Sequence, residues 1–356
     1  MESMPADKKP FISVLIPTLN AAKVLEGCLK SIDCQNYPRR KFEIIIADGG
    51  STDRTLAIGK KYHARIFKNP LKTGESGKMV ALRHARGELV ALIDSDNILP
   101  DQDWFKKMVL PFTDLQILGS EPWEFTYRKK DPLITRYCAL LGANDPYCFF
   151  VGNYDKKSVL SGKWTGLKIQ SLKLRIRNRK IAKTSKKEWD FLKIKLENRI
   201  LPTIGANGTV WRRDVLKRIA GGSHYLFDTD IPYLLAKEKP FYFAKVKTGI
   251  IHLYCQNFSD FYRKQTRRVK DFYYLEAKKQ RQGTYQRQLT KQIYFIFSAV
   301  LVLPLVGQAV KGYLRKPDIA WFFHPWFCLA TLWIYSTETF FSFFNKSQMA
   351  RENWHQ

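Results

Sequence analysis

Between residues 11 and 93 the chain alternates short apolar runs with stretches of helical periodicity, and this alternation limits the fold more than any other feature. FISVLIP at 11–17 and FEIIIA at 42–47 are short, almost wholly apolar and bounded by turn residues, so they read as buried strands. Residues 65–67 form a brief third strand, and ELVALI at 88–93 a fourth. Asn20 stands where it can cap a helix running through Lys30, and Ser51, Thr52 and Asp53 where they can cap another to about Lys61. A third helical stretch covers about 76–86. Strands and helices at this spacing imply an α/β domain, Rossmann-like, with a mostly parallel central sheet and flanking helices. Such sheets bind ligands beyond the carboxyl ends of their strands. Asp48 and Asp94 both stand at such ends.

Asp94-Ser95-Asp96 follows the fourth strand directly. Two carboxylates one residue apart at a strand end can hold Mg2+ or Mn2+, because hard oxygen ligands suit those ions, which keep positions open for substrate phosphates. Asp48, in IIIADGGSTD, can accept hydrogen bonds from a nucleobase or ribose. The same carboxylate, with Ser51 and Asp53, can instead build an Asx turn and helix cap. Lys78 and Arg83 lie on the helix before the acidic triplet, where they can meet phosphate or form a solvated face. His252, after the strand KVKTGII, can complete a metal or phosphate site or serve structure alone. No Gly-x-Gly-x-x-Gly follows the first strand, which argues against a dinucleotide enzyme. KTGESGKM departs from a phosphate loop at Lys72 and Met79, and Gly-x-Ser-x-Gly and His-Glu-x-x-His are absent.

The order PTLNAAKVLEGCLKSI, EIIIADGGSTDRT, GKMVALRHARGELVALIDSDN, over residues 11–110, resembles the family 2 glycosyltransferases. The resemblance implies the GT-A fold and an inverting transfer from a nucleotide-diphosphate sugar. It implies that Pro17, Asn20, Asp48 and Asp53 line the nucleotide site, with Lys78 and Asp94 also on the donor. Asp94 and Asp96 would be the metal pair, with Asp96 the direct ligand and His252 a further one. Gly49 stands where many relatives carry a second aspartate. GANGTVWRRDVL at 205–216 looks like the family's acceptor-side turn. There Gly205 and Gly208 would let backbone approach a sugar, and Asn207 would orient it. FDTDIPYLL at 227–235 is similar to the Glu-Asp-x-Asp segment that carries the base. Phe227 replaces the usual glutamate, Asp228 falls on the base position, and Asp230 is its acceptor-side competitor. Gln265-Thr-Arg-Arg268-Val269 looks like the Gln-x-x-Arg-Trp motif of membrane-embedded members, with valine for tryptophan. Gln265, Arg267 and Arg268 would there stabilise the leaving diphosphate, since guanidinium suits phosphate oxygens.

The formal net charge of +28 calls for anionic partners, whether nucleic acid, a phospholipid surface or phosphorylated substrates. The apolar C-terminal part speaks against nucleic acid. Residues 293–310 carry no charge and 319–337 only His324, each near the length that spans a bilayer. The connector KGYLRKPD holds three cations, which disfavours a translocated loop, so spanning and re-entrant or interfacial hairpins both stand. The expected division is a disordered 1–8, a GT-A domain at 9–255 with a basic insertion at about 156–200, a basic amphipathic helix at 256–291, a membrane hairpin at 292–345 and a tail at 346–356. Within the insertion, Leu172, Leu174 and Ile176 alternate with Lys173, Arg175 and Arg177, reading as a strand with a cationic face. The six cysteines lack metal or redox spacing and read as reduced, and MESMPADKKP lacks the apolar core of a signal peptide. The expected place is the cell membrane with the catalytic domain cytoplasmic. The expected partners are a nucleotide-diphosphate sugar, a lipid-linked or glycan acceptor, and anionic lipids. A polyprenyl-phosphate sugar synthase, which needs no base, and an inactive membrane scaffold are the alternatives.

Overall fold

The computed structural model describes residues 9–165, 191–197, 201–278 and 289–344. The expected basic strand within 168–187, the N-terminal 1–8 and the tail at 346–356 lie outside them. In chain order the elements begin β1 (Ile12–Thr18), α1 (Ala22–Asp33), β2 (Phe42–Asp48), α2 (Thr55–Lys61), β3 (Arg65–Lys68), α3 (Gly74–His84) and β4 (Leu89–Leu92). They continue with β5 (Asn97–Ile98), α4 (Trp104–Val109), β6 (Ile117–Thr126), α5 (Leu133–Leu141), α6 (Pro146–Val151) and β7 (Phe191–Leu196). Then come β8 (Thr209–Arg212), α7 (Arg213–Ala220), α8 (Ile231–Glu238), β9 (Phe241–His252), α9 (Phe258–Ala277), α10 (Leu289–Leu301), α11 (Leu303–Arg315) and α12 (His324–Phe344). Two units result: Met1–Thr126 with Lys168–His252, and Tyr127–Leu167 with Leu253–Gln356. Residues 127–165, which the sequence reading left inside the first domain, thus group with the segment that follows His252.

The first unit is built on one sheet in the order β3-β2-β1-β4-β8-β6-β9-β5, with β7 also on β9. Its first four strands are parallel, and Val14 of β1 lies opposite Ile44 on one side and Ala91 on the other. Val14, Leu15, Ile45, Ile46 and Val90 are buried. Burial on both faces is why these strands read as unbroken apolar runs.

Beyond β4 the sheet is mixed rather than mostly parallel. β8 runs antiparallel to β4 and β6, β6 runs parallel to β9, and β5 and β7 run antiparallel to β9. The expected parallel pattern fails at β5, β7 and β8, and the β6–β9 pair, though parallel, shifts register twice, between Ile117 and Gly119 and between Pro122 and Glu124. Such bulges break the alternation that a sequence scan follows. β6 also hides a charge: Glu121 sits opposite Lys245 and pairs with it at 2.7 Å, both fully buried.

The helix cap at Asn20 is corrected as well. α1 begins at Ala22, and its N-cap, Ala21, has no side-chain bond. Asn20 instead takes a left-handed φ of 50°, with its Oδ1 accepting from Thr52 N at 2.9 Å. Asp53 organises both helix starts. Its Oδ2 accepts from Ala22 N (3.1 Å), and its Oδ1 accepts from Thr55 N (2.9 Å). Thr55 Oγ1 in turn accepts from Ala21 N at 2.8 Å, so α1 and α2 are tied together at their N-termini.

In the second unit, α9 covers the first part of the stretch 256–291 expected as a basic helix, and Asn257 caps it, its Oδ1 accepting from Asp260 N at 2.9 Å. Asp145 caps α6 through Cys148 N (2.8 Å), accepts from Tyr335 Oη (3.3 Å) and pairs with Arg268. Among the described residues no single helix is long and apolar enough to cross a membrane. α10 and α11 reach that length and composition only together, bent by 92°.

Candidate functional site

At the carboxyl end of β4 the chain turns through Asp94, Ser95 and Asp96 into β5. Asn97 holds that turn: its Oδ1 accepts from Asp94 N (3.2 Å), and its Nδ2 donates to Asn207 Oδ1 (3.0 Å) and lies 3.5 Å from Asp96 Oδ1. Asn97 is wholly buried, so its polar atoms serve the turn and the 205–208 loop rather than solvent. In the β5–β9 ladder Asn97 is registered with His252. That register sets His252 Nε2 3.4 Å from Asp96 Oδ2.

α3 delivers Lys78 from the other side. A Cβ at Gly77 would come within 2.8 Å of Pro17 Cβ, so a glycine there lets α3 lie against β1. Lys78 is buried, donates from Nζ to Asp228 Oδ1 at 3.0 Å and lies 4.0 Å from Asp94 Oδ1. Burial works against its charge, yet Asp228, Asp94 and Glu75 hold its pKa above the ordinary lysine value. Asp94 behaves in the opposite sense. Burial raises its pKa, and Asp96 and Asp228 push the same way, against Lys78 and His252. Asp94, Asp96 and Asp228 thus gather as three carboxylates near one buried lysine.

Asp228 opens a short 3-10 turn, Asp228–Asp230, ahead of α8. Its Oδ1 faces Lys78, while Oδ2 lies 3.4 Å from where a Cβ on Gly205 would stand. Its side chain is 17% exposed, whereas Asp230 is only 3% exposed. Gly205 thus keeps space open beside the Asp228 carboxylate. Gly208 does not play the part expected of it. Its φ is 77°, and a Cβ there would strike Ile250 at 2.6 Å and Trp104 at 2.9 Å. It is a packed turn, closed to a sugar.

Asp48 forms a separate nest. Its Oδ1 accepts from Thr18 Oγ1 (2.8 Å) and Ser51 Oγ (2.6 Å), and its Oδ2 accepts from Gly50 N (2.9 Å) and Ser51 N (2.8 Å). Burial alone would raise its pKa, but these donors bring it below the ordinary value. Four donors engage the Asp48 carboxylate and hold the turn after β2 in shape. Asp53 in the same loop engages Thr55, and Asn20 reaches that loop from between β1 and α1 by accepting from Thr52 N.

Gln265, Arg267 and Arg268 lie in the second unit and are engaged there. Gln265 is fully buried, donates from Nε2 to Asn144 O at 3.1 Å, and accepts at Oε1 from Tyr335 Oη at 3.2 Å. Arg268 pairs with Asp145, and Arg267 Nε lies 3.8 Å from Asp271 Oδ2. Sequence reasoning passed over Asn97 and Thr18. Asn97 has a local signal, standing next to Asp96 after a strand end, whereas Thr18 lies 30 residues before Asp48 and meets it only across the sheet.

The donor set fits a divalent cation. Asp96 offers carboxylate oxygen and His252 imidazole nitrogen, a combination that favours Mn2+ over Mg2+. Among the described residues no three metal-ligating side chains already close on one point. Oxygens from a ligand would have to complete the shell.

Comparison with known proteins places these elements in a family. The profile described as Glycosyl transferase family 2 matches residues 13–218. Glycosyltransferase AglE of Haloferax volcanii is 27% identical over 136 residues, 36% of this chain and 44% of AglE. Poly(ribitol-phosphate) beta-N-acetylglucosaminyltransferase TarS of Staphylococcus aureus is 37% identical over 93 residues, 24% of this chain and 16% of TarS. A dolichyl N-acetyl-alpha-D-glucosaminyl phosphate 3-beta-D-2,3-diacetamido-2,3-dideoxy-beta-D-glucuronosyltransferase of Methanococcus voltae is 34% identical over 106 residues, 28% of this chain and 33% of that one. The matched stretch thus spans less than half the length of each relative. Among solved structures, the mannosyltransferase PcManGT from Pyrobaculum calidifontis, in complex with GDP-Man and Mn2+, is similar in fold. Its TM-score is 0.50 at 16% identity, covering 93% of this chain and 88% of that one.

Proposed function

We propose a reaction from one premise, that the chain belongs to glycosyl transferase family 2, whose profile it matches over more than half its length. The chain transfers a sugar, with inversion, from a UDP- or GDP-sugar to a hydroxyl of a lipid-linked sugar or glycan at the cytoplasmic membrane face. The observation that carries this reading is the gathering of Lys78, Asp94 and Asp228 from segments up to 150 residues apart, beside Asp96 and His252. The naming of the Methanococcus voltae relative for a dolichyl phosphate-linked sugar supports a lipid-linked acceptor.

The acceptor oxygen bonds to the anomeric carbon as the bond from that carbon to the diphosphate oxygen breaks, and the hydroxyl proton passes to Asp228 Oδ2. Lys78 holds Oδ1 of the same carboxylate and so aims Oδ2 at the space kept open by Gly205. The greater exposure of Asp228 favours it over Asp230 as base. Asp96 and His252, with Asp94 beside them, would hold Mn2+ or Mg2+, which offsets charge on the leaving diphosphate. Asn97 and Asn207 fix the two loops against each other, so the acceptor side and donor side keep their spacing.

The test is a titration of detergent-purified protein with nucleoside diphosphates and nucleotide sugars, with and without Mn2+. Asp96→Ala is expected to lose metal-dependent binding. Asp228→Asn is expected to keep binding and lose turnover by roughly 10²–10⁴-fold. Absence of nucleotide binding under every metal condition would sink the reading. Unchanged turnover in Asp228→Asn would move the base to Asp230.

A further inference from the structure

α10 and α11 leave an unusual amount of apolar surface uncovered. Phe297 is 60% exposed, Leu301 64%, Leu303 77% and Leu314 77%. Scattered exposed leucines are ordinary, but a continuous run of them marks a binding surface. The opposite side of the pair is packed: Phe295, Ala299 and Leu305 join Phe150 and Cys328 in a core cluster. The corner between the helices is built rather than frayed. Val302 takes a φ of 61°, donates from N to Ser298 O (3.1 Å) and accepts at O from Leu305 N (2.9 Å) and Val306 N (3.1 Å). Pro304 falls in the first turn of α11, where it has no amide hydrogen to leave unbonded.

We propose that α10 and α11 form an L-shaped wedge that seats this protein on an anionic bilayer, entering one leaflet without crossing. Each helix has 13 residues, about 20 Å of rise, short of the roughly 30 Å hydrocarbon core. The 92° bend prevents the two from adding their lengths. Residues 289–317 contain no aspartate or glutamate, and Lys311 and Lys316 are exposed at the end of α11. Those cations suit anionic headgroups, each worth about 1 kcal/mol near the surface. The exposed rings of Tyr294, Tyr313, Trp326 and Trp333 have the apolar body and polar edge that settle at the headgroup level. A second copy of the chain is a poor occupant, because it would bring the same cations and a net charge of +28 against itself. This proposal rests on the membrane part of the functional reading and not on its donor chemistry, so nucleotide binding separates the two failures.

The experiment is synthesis of the full chain without detergent beside preformed vesicles of phosphatidylcholine, alone or mixed with phosphatidylglycerol, followed by flotation. The protein is expected to float with the phosphatidylglycerol vesicles. Leu303→Glu with Leu314→Glu should cut the floated fraction by about tenfold while nucleotide binding in detergent persists. Lys316→Cys, in a Cys34→Ser background, should react with a membrane-impermeant maleimide added outside. Labelling only after a pore-forming toxin opens the vesicles would show a crossing hairpin and overturn the wedge. So would flotation indifferent to the double substitution, or no flotation at all. Vesicle-free dimers that the double substitution dissolves would overturn it in favour of a second copy.

Discussion

Two aspartates at the ends of parallel strands in one sheet meet opposite fates. Asp48 ends β2, Asp94 follows β4, and β1 lies between them. The turn after Asp48 is Gly-Gly-Ser, which folds back two backbone amides and a hydroxyl onto its carboxylate. The turn after Asp94 is Ser-Asp-Asn, which adds a second carboxylate and gives its amide group to the Asp94 backbone instead. One acid is satisfied by its own loop together with Thr18 of β1. The other depends on a lysine from α3 and is crowded by Asp96 and Asp228. A strand-end carboxylate is therefore set apart by the donors folded onto it, Gly50 and Ser51 from the next turn and Thr18 from β1, rather than by its strand-end position alone.

Three substitutions would break or sharpen this contrast, the largest effect first. Lys78→Met leaves Asp94 and Asp228 facing each other without their cation. Removing one partner of a buried pair costs about 3–5 kcal/mol, so the melting temperature should fall sharply. Added Mn2+ should recover part of the fall, as read by thermal melts with and without metal. An unchanged melt would mean that solvent already relieves the cluster. Asp48→Asn removes acceptor sites from a satisfied nest and should cost about 1–3 kcal/mol. The Asp48 folded pKa is below its unfolded value, so its contribution is present above the ordinary aspartate range and fades as pH falls through the folded value. Stability curves of the wild type and this variant should accordingly converge in acid. Asp94→Asn should run the other way. A raised folded pKa means that the ionised form costs stability at neutral pH, so the amide should give a slight rise in melting temperature. A fall would mean that Asp94 is neutralised as fully as Asp48.

The same contrast marks what the sequence could disclose. β1, β2 and β4 were legible because burial on both faces wrote itself as continuous apolar runs. Asp94, Asp96 and Asp228 were legible through their resemblance to family segments. The pairing of Lys78 with Asp228 was not, because the two meet across 150 residues and no local pattern records a partner so distant. Asn20 misled because its side chain has the chemistry of a helix cap, while its left-handed backbone sends it to Thr52. The mixed half of the sheet was hidden by bulges and by charges that pair inside it, Glu121 with Lys245 above all.

One of those bulges sets a limit on how this chain can change. Between Pro122 and Glu124 of β6, β9 advances from Val246 to Gly249, so it carries one residue more than its neighbour. Past it the register is regular, Phe125 opposite Ile250 and Thr126 opposite Ile251, and it carries β9 to Asn97, where His252 meets Asp96. Side chains alternate along a strand, so a deletion past the bulge, at Ile250 or Ile251, would turn the imidazole to the other face of the sheet, whereas one at Lys247 or Thr248 would only straighten the bulge. The short run from Gly249 to His252 is therefore not free to lose or gain a residue while His252 faces Asp96.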